Sequence, residues 1–430
     1  MKFQKLIFFL RNRPIFFLNF YFKSILQKDD LRFLTKCDFL FFCGDNDRGI
    51  KFKGKRYSVL IDSIIEDLKK KNLKCITIAK PWSFFTGKKG YNFPININKP
   101  YFFFRLKKII NSILFFKLFS IRQNIFDKIL AETDAKILFG IGPINKNFIK
   151  SAKKSGVYVV EILHGMGTPI LPPLWLESSS INYLPDLILS LDKLSTKTFR
   201  KFSNKKKFLV ETIMHPFFKK FINNNKKTIP KEWRITKEVN KNYRKEILIS
   251  LSTCYAGDHG PYKFENILSN GLFYDELGEL IKERKDIFWR FRLHPVMITT
   301  QDIKLIKYIN NFVSINKNSE WKSSSKLPFW SVASRCHGNI QMFSSSAYDA
   351  ALIGLRTLSL CPTLLPGGIY QDFFKDLVRE GYLKKIKINK QKISKWVDNV
   401  DLSKPRYPNY SKHEIQYKIE NILLKAKFNN

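Results

Sequence analysis

The chain has 430 residues, 44% hydrophobic and 26% charged, which supplies apolar material for two globular cores and excludes disorder over most of the length. Lys and Arg number 76 against 36 Asp and Glu, a formal excess of +40 that attracts polyanions. The basic residues are scattered and carry no RNA- or DNA-binding motif, so nucleic acid is not expected. An anionic membrane surface or a phosphate-bearing substrate is preferred, beside the bland alternative of a Lys-rich composition spread over all faces.

The first stretch, residues 1–34, is Phe- and Lys-rich. Lys5, Arg11, Arg13 and Lys23 break its apolar runs, so none approaches the ~18 residues that a spanning helix needs. It also lacks a small-residue cleavage site. Such a mixture fits a helix lying in the membrane interface or one packed on its own domain. Residues 101–120 repeat the pattern.

Residues 35–216 read as one α/β unit. The run 37–43 (CDFLFFC) is a strand ending in the polar turn GDNDRG. Helical spacing at Leu60, Ile61, Ile64, Ile65 and Leu68 precedes the short strand 75–79 (CITIA). Further strands are read at 136–139, 157–163, 186–190 and 208–210, separated by helical segments. Short apolar strands alternating with helices predict a parallel sheet covered on both faces. Residues 217–245, Lys- and Asn-rich without a period, read as an interdomain connection.

A second series occupies 246–400. Strands are expected at 246–251, 287–293, 312–315, 335–342 and 357–360, the last as the final strand, with helices at 266–283, 302–309, 327–333 and 347–353 between them. The tail 401–430 contains a charged helix at 413–427. The fold class is therefore α/β, with two Rossmann-like doubly wound domains facing a cleft. Six cysteines (Cys37, Cys43, Cys75, Cys254, Cys336, Cys361) stand apart without a CxxC pair. They read as buried hydrophobes of a reducing compartment, which predicts a cytoplasmic protein with no disulfide frame and no metal site.

In open parallel sheets ligands bind beyond the carboxyl ends of the strands, and three motifs fall there. In ILHGMGTP, residues 162–169, His164 leaves a strand into a Gly-rich loop, where imidazole suits a general base and Gly165 allows close approach to a ligand. In FRLHP, 291–295, Arg292 and His294 alternate and could present donors to a phosphate. In SSSAYDAALIG, 344–354, Ser344, Ser345 and Ser346 surround a helix start suited to an anion, and Asp349 lies one turn inside, within reach of a ribose or acceptor hydroxyl.

Together, HGMGTP, RLHP and SSSAYDAALIG resemble the CDP-glycerol glycerophosphotransferases of teichoic acid synthesis. They are similar also to capsule and lipopolysaccharide glycosyltransferases of GT-B fold, including sialyl- and Kdo-type enzymes that use CMP-sugars. The resemblance spans roughly 35–380 and implies His164 as the base, with His294, Arg292 and the serines at the donor phosphate and Asp349 beside them. It implies metal-independent transfer, no cofactor, and a nucleotide-activated donor as substrate. Two features depart from the pattern. The first motif carries an inserted residue, and CMP-sialic acid enzymes take their base from an acidic motif, for which Asp45 and Asp47 are candidates. Asp258 and His259 of YAGDHG could line the cleft from the other side.

The expectation is therefore an inverting GT-B glycosyltransferase moving a sugar, by preference from a CMP-sugar, to a glycan or lipid-linked acceptor of capsule or lipopolysaccharide. Its place is the cytoplasm, peripheral on the inner face of the membrane. The alternatives are a CDP-polyol phosphotransferase of teichoic-acid type, a basic nucleic-acid-binding protein, and a sugar epimerase of similar fold.

Overall fold

The computed structural model describes residues 22, 24–28, 30–113, 124–165, 180–218, 221, 230–234, 243–251, 268, 272–299, 303–368 and 370–401, with backbone alone at 108–113, 204–205, 296, 299 and 303. Asp258, His259, Met166–Pro169 and the helix expected at 413–427 lie outside the described residues, as do most of 1–34 and 217–245.

The first half contains β1 (Phe39–Cys43), the hairpin β2 (Ile50–Phe52) and β3 (Lys55–Tyr57), α1 (Ile61–Lys69), β4 (Cys75–Ala79), α2 (Asn98–Ile113), α3 (Ile125–Thr133), β5 (Ile137–Ile141), α4 (Lys146–Lys154), β6 (Tyr158–Ile162), β7 (Leu187–Ser190), α5 (Lys193–Lys206) and β8 (Leu209–Thr212). Its sheet runs β4-β1-β5-β6-β7-β8, all parallel. The chain goes from β1 to β4 on one side and then crosses to β5 on the other, so the loops after β1 and β5 part at a switch point.

The second half contains β9 (Lys245–Ser250), α6 (Asp275–Glu283), β10 (Ile287–Arg292), α7 (Pro295–Thr299), α8 (Ile303–Ile315), β11 (Ser319–Glu320), α9 (Lys322–Lys326), α10 (Phe329–Ala333), β12 (Gly338–Gln341), α11 (Ser346–Ala351), β13 (Thr357–Ser359), α12 (Lys375–Arg379), β14 (Leu383–Lys385) and α13 (Lys390–Asn399). Its sheet, β11-β10-β9-β12-β13-β14, is also all parallel, with its switch point between β9 and β12.

Burial explains the strands: every residue of β1 and of β5 is buried, as continuous apolar runs must be when helices cover both faces. In α1 the spaced residues Ile61, Ile64, Ile65 and Leu68 form its buried face. Two expectations need correcting. Residues 312–315 are the end of α8 rather than a strand: Phe312 and Val313 continue the core-facing stripe of Ile309 on a 13-residue helix, while Ile315 is exposed. The strand at 357–359 is not final, since β14 pairs beyond it. The connection between halves is also less loose than its composition implies. Phe217, Phe218, Phe221 and Trp233 are buried, and Trp330 of α10 lies 5.0 Å from the Phe218 ring and 4.8 Å from the His215 ring. An aromatic junction thus joins the halves.

One buried ion pair fixes the turn after β1. Arg48 Nη1 reaches Asp62 Oδ2 of α1 at 2.7 Å, with side chains 1% and 0% exposed, and also donates to the Arg56 and Tyr91 carbonyls at 3.3 Å each. Asp62 accepts from the Ser58 amide and from Asn92 as well. Removing one partner strands the other charge in the interior. Asp62→Ala should therefore lose about 3–5 kcal/mol in urea unfolding, while the double apolar variant Arg48→Met/Asp62→Leu recovers most of that loss. A single variant within ~1 kcal/mol of wild type contradicts the assignment.

Candidate active site

The polar residues of the first half gather at the carboxyl ends of β4, β1, β5 and β6. Asp45, Asn46 and Asp47 form a single 3-10 turn directly after β1, and the alternate directions of its side chains separate the two carboxylates. Asp45 turns back into its own domain, accepting from the Phe84 amide at 2.6 Å and the Phe85 amide at 3.1 Å. Burial pushes its carboxyl up, against the pull of those amides. Both oxygens are occupied in holding the loop, an unsuitable state for a base. Asp47 faces the cleft side. Its Oδ1 lies 3.4 Å from His164 Nδ1, and its Oδ2 accepts from the Gly44 amide at 3.3 Å, with Lys80 Nζ at 3.7 Å. Burial raises the Asp47 pKa, but His164, Lys80 and the Gly44 amide outweigh it and hold the carboxyl below its ordinary value.

His164 follows β6, where the sheet ends and the chain turns at Gly165. Its side chain is 67% exposed, so one nitrogen faces Asp47 while the ring stays open to solvent. Gly165 meets the second half here: a Cβ built on it would stand 3.3 Å from Ser345 Oγ. Pro295 of α7 likewise lies 3.6 Å from a Cβ built on Gly49. The two halves therefore approach each other at the turn after β1 and the loop after β6.

The facing wall carries His294, the serines and Asp349. Burial, His164 and Arg292 together bring the His294 imidazole down to about 4, so it is neutral at pH 7. Burial raises Asp349 to about 7, opposed by Arg292 and His164. His164 of the first half thus acts electrostatically on two titratable groups of the second. Ser345 is exposed at the start of α11 and makes no side-chain capping bond. Ser344 Oγ accepts from the Ser346 amide at 3.2 Å, and Ser346 Oγ reaches Gln341 Oε1 at 3.4 Å. Of the trio, Ser345 is the hydroxyl turned towards the first half.

Arg292 differs from expectation. Its Nη1 donates to the Ser324 carbonyl and, at 2.7 Å, to the Leu327 carbonyl, with the guanidinium 5.7 Å from the Phe329 ring centre. Burial, against Asp349, lowers it to about 10, which leaves it cationic at pH 7. It buttresses the segment between α9 and α10 and contributes charge to the cleft from beneath. A side chain two positions from His294 is on that side only if the strand continues, and β10 ends at Arg292.

Two site residues escaped the sequence reading. Lys80 is the residue immediately after CITIA, at a strand's carboxyl end like the candidate residues of the other motifs. Glu161 sits 1% exposed inside the apolar run of β6. Its Oε1 accepts from the Ile144 amide at 2.8 Å, a Cβ on Gly142 would stand 2.8 Å from its Oε2, and Oε2 has no hydrogen-bond partner. A lone carboxylate in VYVVEIL was its signal. Among the described residues no group of three or more His, Cys, Asp or Glu side chains is arranged to hold a metal ion.

No family model and no curated protein matches the sequence. Solved structures do match. UDP-GlcNAc 2-epimerase from Neisseria meningitidis bound to UDP-GlcNAc is 15% identical at TM-score 0.54, over 90% of this chain and 99% of that one. Wall teichoic acid polymerase TagF, in a histidine variant, is 15% identical at TM-score 0.55, over 93% and 88%. MnaA of S. aureus with UDP is 13% identical at TM-score 0.50, over 84% and 88%. These likenesses establish the expected fold, two Rossmann-like halves of GT-B type.

Burial raises Glu161 from 4.5 to about 7, against the Ile144 amide and Lys80. With its folded pKa above the unfolded one, its contribution is full below pH 4.5 and is lost as pH rises through 7. Glu161→Gln keeps an acceptor for the Ile144 amide and does not titrate. The variant should gain on wild type between pH 4.5 and 7, by up to ~3 kcal/mol, and hold a constant lead above. Melting curves of both proteins at pH 5 and pH 8 test this, and an unchanged difference in Tm refutes it.

Proposed function

We propose that the chain is a transferase that joins a unit from a nucleotide-activated donor to a hydroxyl of a cell-surface polymer. A CDP-polyol donor of teichoic-acid type is the leading reading, and transfer from a CMP-sugar to capsule or lipopolysaccharide is second. The fold likeness to TagF favours the polyol-phosphate reading, which reverses the order of preference drawn from sequence. The carrying observation is His164, oriented through Nδ1 by Asp47 with its ring exposed opposite Ser345, His294 and Asp349.

An imidazole that donates its Nδ1–H hydrogen bond to the Asp47 carboxylate leaves the Nε2 lone pair for an acceptor hydroxyl. Nε2 takes the hydroxyl proton as the acceptor oxygen bonds to the phosphorus that carries the polyol. The bond from that phosphorus to the bridging oxygen breaks, and its electron pair leaves with CMP. Neutral His294 and the Ser345 hydroxyl can donate hydrogen bonds to the phosphates, and Arg292 lends positive field from below. Asp349, with a pKa of about 7, is suited to a ribose or acceptor hydroxyl. Closure of the two halves would exclude water and suppress donor hydrolysis.

The test is product analysis across CDP-polyol, CMP-, UDP- and GDP-sugar donors with a polymer acceptor. Acceptor-dependent CMP release from a CDP-polyol is expected, with His164→Ala reducing it about 10²- to 10⁴-fold. A His164→Ala enzyme within tenfold of wild type, or epimerisation of a UDP-sugar without acceptor, overturns the reading.

The acceptor is taken to be lipid-linked, and the enzyme to work on the inner membrane face. Among the described residues no helix is long and apolar enough to cross a membrane. Phe22, Leu26, Phe33, Phe103 and Leu106 are nevertheless exposed, beside the exposed cations Lys28, Arg32, Lys99, Arg105 and Lys107. The two regions are tied together where Asn98 Nδ2 donates to the Ser24 carbonyl and Asn96 Nδ2 to the Lys28 carbonyl. Aromatic and basic side chains so mixed suit an anionic interface. The protein should co-sediment with phosphatidylglycerol vesicles and not with phosphatidylcholine ones. Phe103→Asp/Leu106→Asp should weaken this binding at least severalfold, and equal binding to both lipids rejects it.

A further inference from the structure

We infer that Lys80 is a positioning residue of the active site, the cation that fixes the Asp47 carboxylate against His164. The inference rests on the reading of His164 as the base, and it begins with backbone geometry. Lys80 is the first residue after β4, and its amide donates to the Cys43 carbonyl at the end of β1 at 2.9 Å, while its carbonyl accepts from the Ser83 amide at 3.2 Å. The main chain on both sides of the side chain is thereby fixed beside the Asp45–Asp47 turn.

The stem then crosses Gly44. A Cβ there would stand 3.0 Å from Lys80 Cδ, so the bare glycine leaves room for the stem. Its end carries Nζ to the Ile141 carbonyl at 3.3 Å and to Asp47 Oδ2 at 3.7 Å. The carbonyl belongs to the last residue of β5, which gives the ammonium a second partner beside the carboxylate. Lys80, Asp47 and His164 thus form a line across the ends of β4, β1 and β6, anchored on β5.

The chemistry of the line follows from burial. The Asp47 side chain is 7% exposed, and a carboxylate so placed ionises only if charge and hydrogen bonds compensate for lost water. The Gly44 amide supplies one hydrogen bond to Oδ2, and Lys80 supplies the charge on that same oxygen. Oδ1 is left to His164. Glu161 is the other carboxyl influenced by Lys80. Its Oε1 accepts from the Ile144 amide and its Oε2 has no hydrogen-bond partner, so Glu161 does not hold the ammonium. Without Lys80, Asp47 would lose the tie that turns Oδ1 to the imidazole, and the ring would lose its fixed orientation.

The experiment uses the full chain with ¹⁵N-histidine and reads the His164 ring tautomer at pH 8, its signals assigned by their loss in His164→Gln. The wild type should show the form protonated at Nδ1. Lys80→Met, which keeps the stem, and Asp47→Asn should both shift the ring towards the Nε2-protonated form, and Lys80→Arg should restore the wild-type spectrum. Unchanged melting temperatures for Lys80→Met and Lys80→Arg separate this from misfolding. A wild-type His164 spectrum in Lys80→Met overturns the inference, as does a shift that Lys80→Arg repeats in full.

In the transferase assay Lys80→Met should lower kcat on the order of 100-fold with the donor KM little changed. The spectrum needs no substrate, so the two readings fail separately. Absent transfer with the tautomer shift intact removes the proposed function and leaves the positioning role of Lys80 standing.

Discussion

Asp47 and Arg48 are neighbours with opposite charges and opposite destinations, and the cleft depends on that divergence. Arg48 turns inward to Asp62, where both side chains are almost fully excluded from water. Such a pair is costly to bury and costly to break, so its contribution is better described as geometry than as net stability. It ties the turn after β1 to α1, and its bonds to the Arg56 and Tyr91 carbonyls tie in the β2–β3 hairpin and the loop at 91. With Arg48 anchored inward, Asp47 lies on the other side of the turn, against His164, Lys80 and the Gly44 amide.

The two walls of the cleft are built on different electrostatic plans. The first carries formal charges in contact: a carboxylate between an ammonium and an imidazole. The second is closer to neutral, with His294 deprotonated, Asp349 poised near pH 7 and the Arg292 Nη1 tied to carbonyls. The polar groups of that wall include hydroxyl and imidazole donors. In the proposed transfer, the first half would organise a proton transfer while the second holds a leaving group whose charge appears only late in the reaction.

Much of this was legible in the sequence because parallel sheets have simple signatures. CITIA, EILIS and the β5 run are short and continuously apolar, and the ends of such strands are where ligand groups must lie. That rule singled out His164, His294 and the serines as candidates. The sequence could not separate Asp45 from Asp47, because two carboxylates two residues apart in GDNDRG differ only in how the 3-10 turn directs them. Arg292 was misjudged through strand alternation, which stops where β10 stops. Lys80 was passed over because one lysine among so many carries no compositional signal. The apolar end of α8 imitated a strand for a related reason: four residues are too few to reveal a helical period.

The overall charge gains a clearer meaning from this last point. Lys80 is held at the first wall by a carbonyl and a carboxylate, and Arg292 is held at the second wall by carbonyls. Neither is available as a bare cation to draw in polyanions. A groove built for nucleic acid would need the opposite, rows of unengaged cations along a track. The basic side chains Lys28, Arg32, Lys99, Arg105 and Lys107 are instead exposed on segments that also expose Phe22, Phe33, Phe103 and Leu106. Charge mixed with exposed apolar area is matched by a surface that is both anionic and oily at its boundary, whereas a nucleic acid backbone offers no partner for the phenylalanines. On the proposed membrane-facing reading, the positive excess and the aromatic richness share one physical explanation on this part of the surface, and it differs from the chemistry of the cleft.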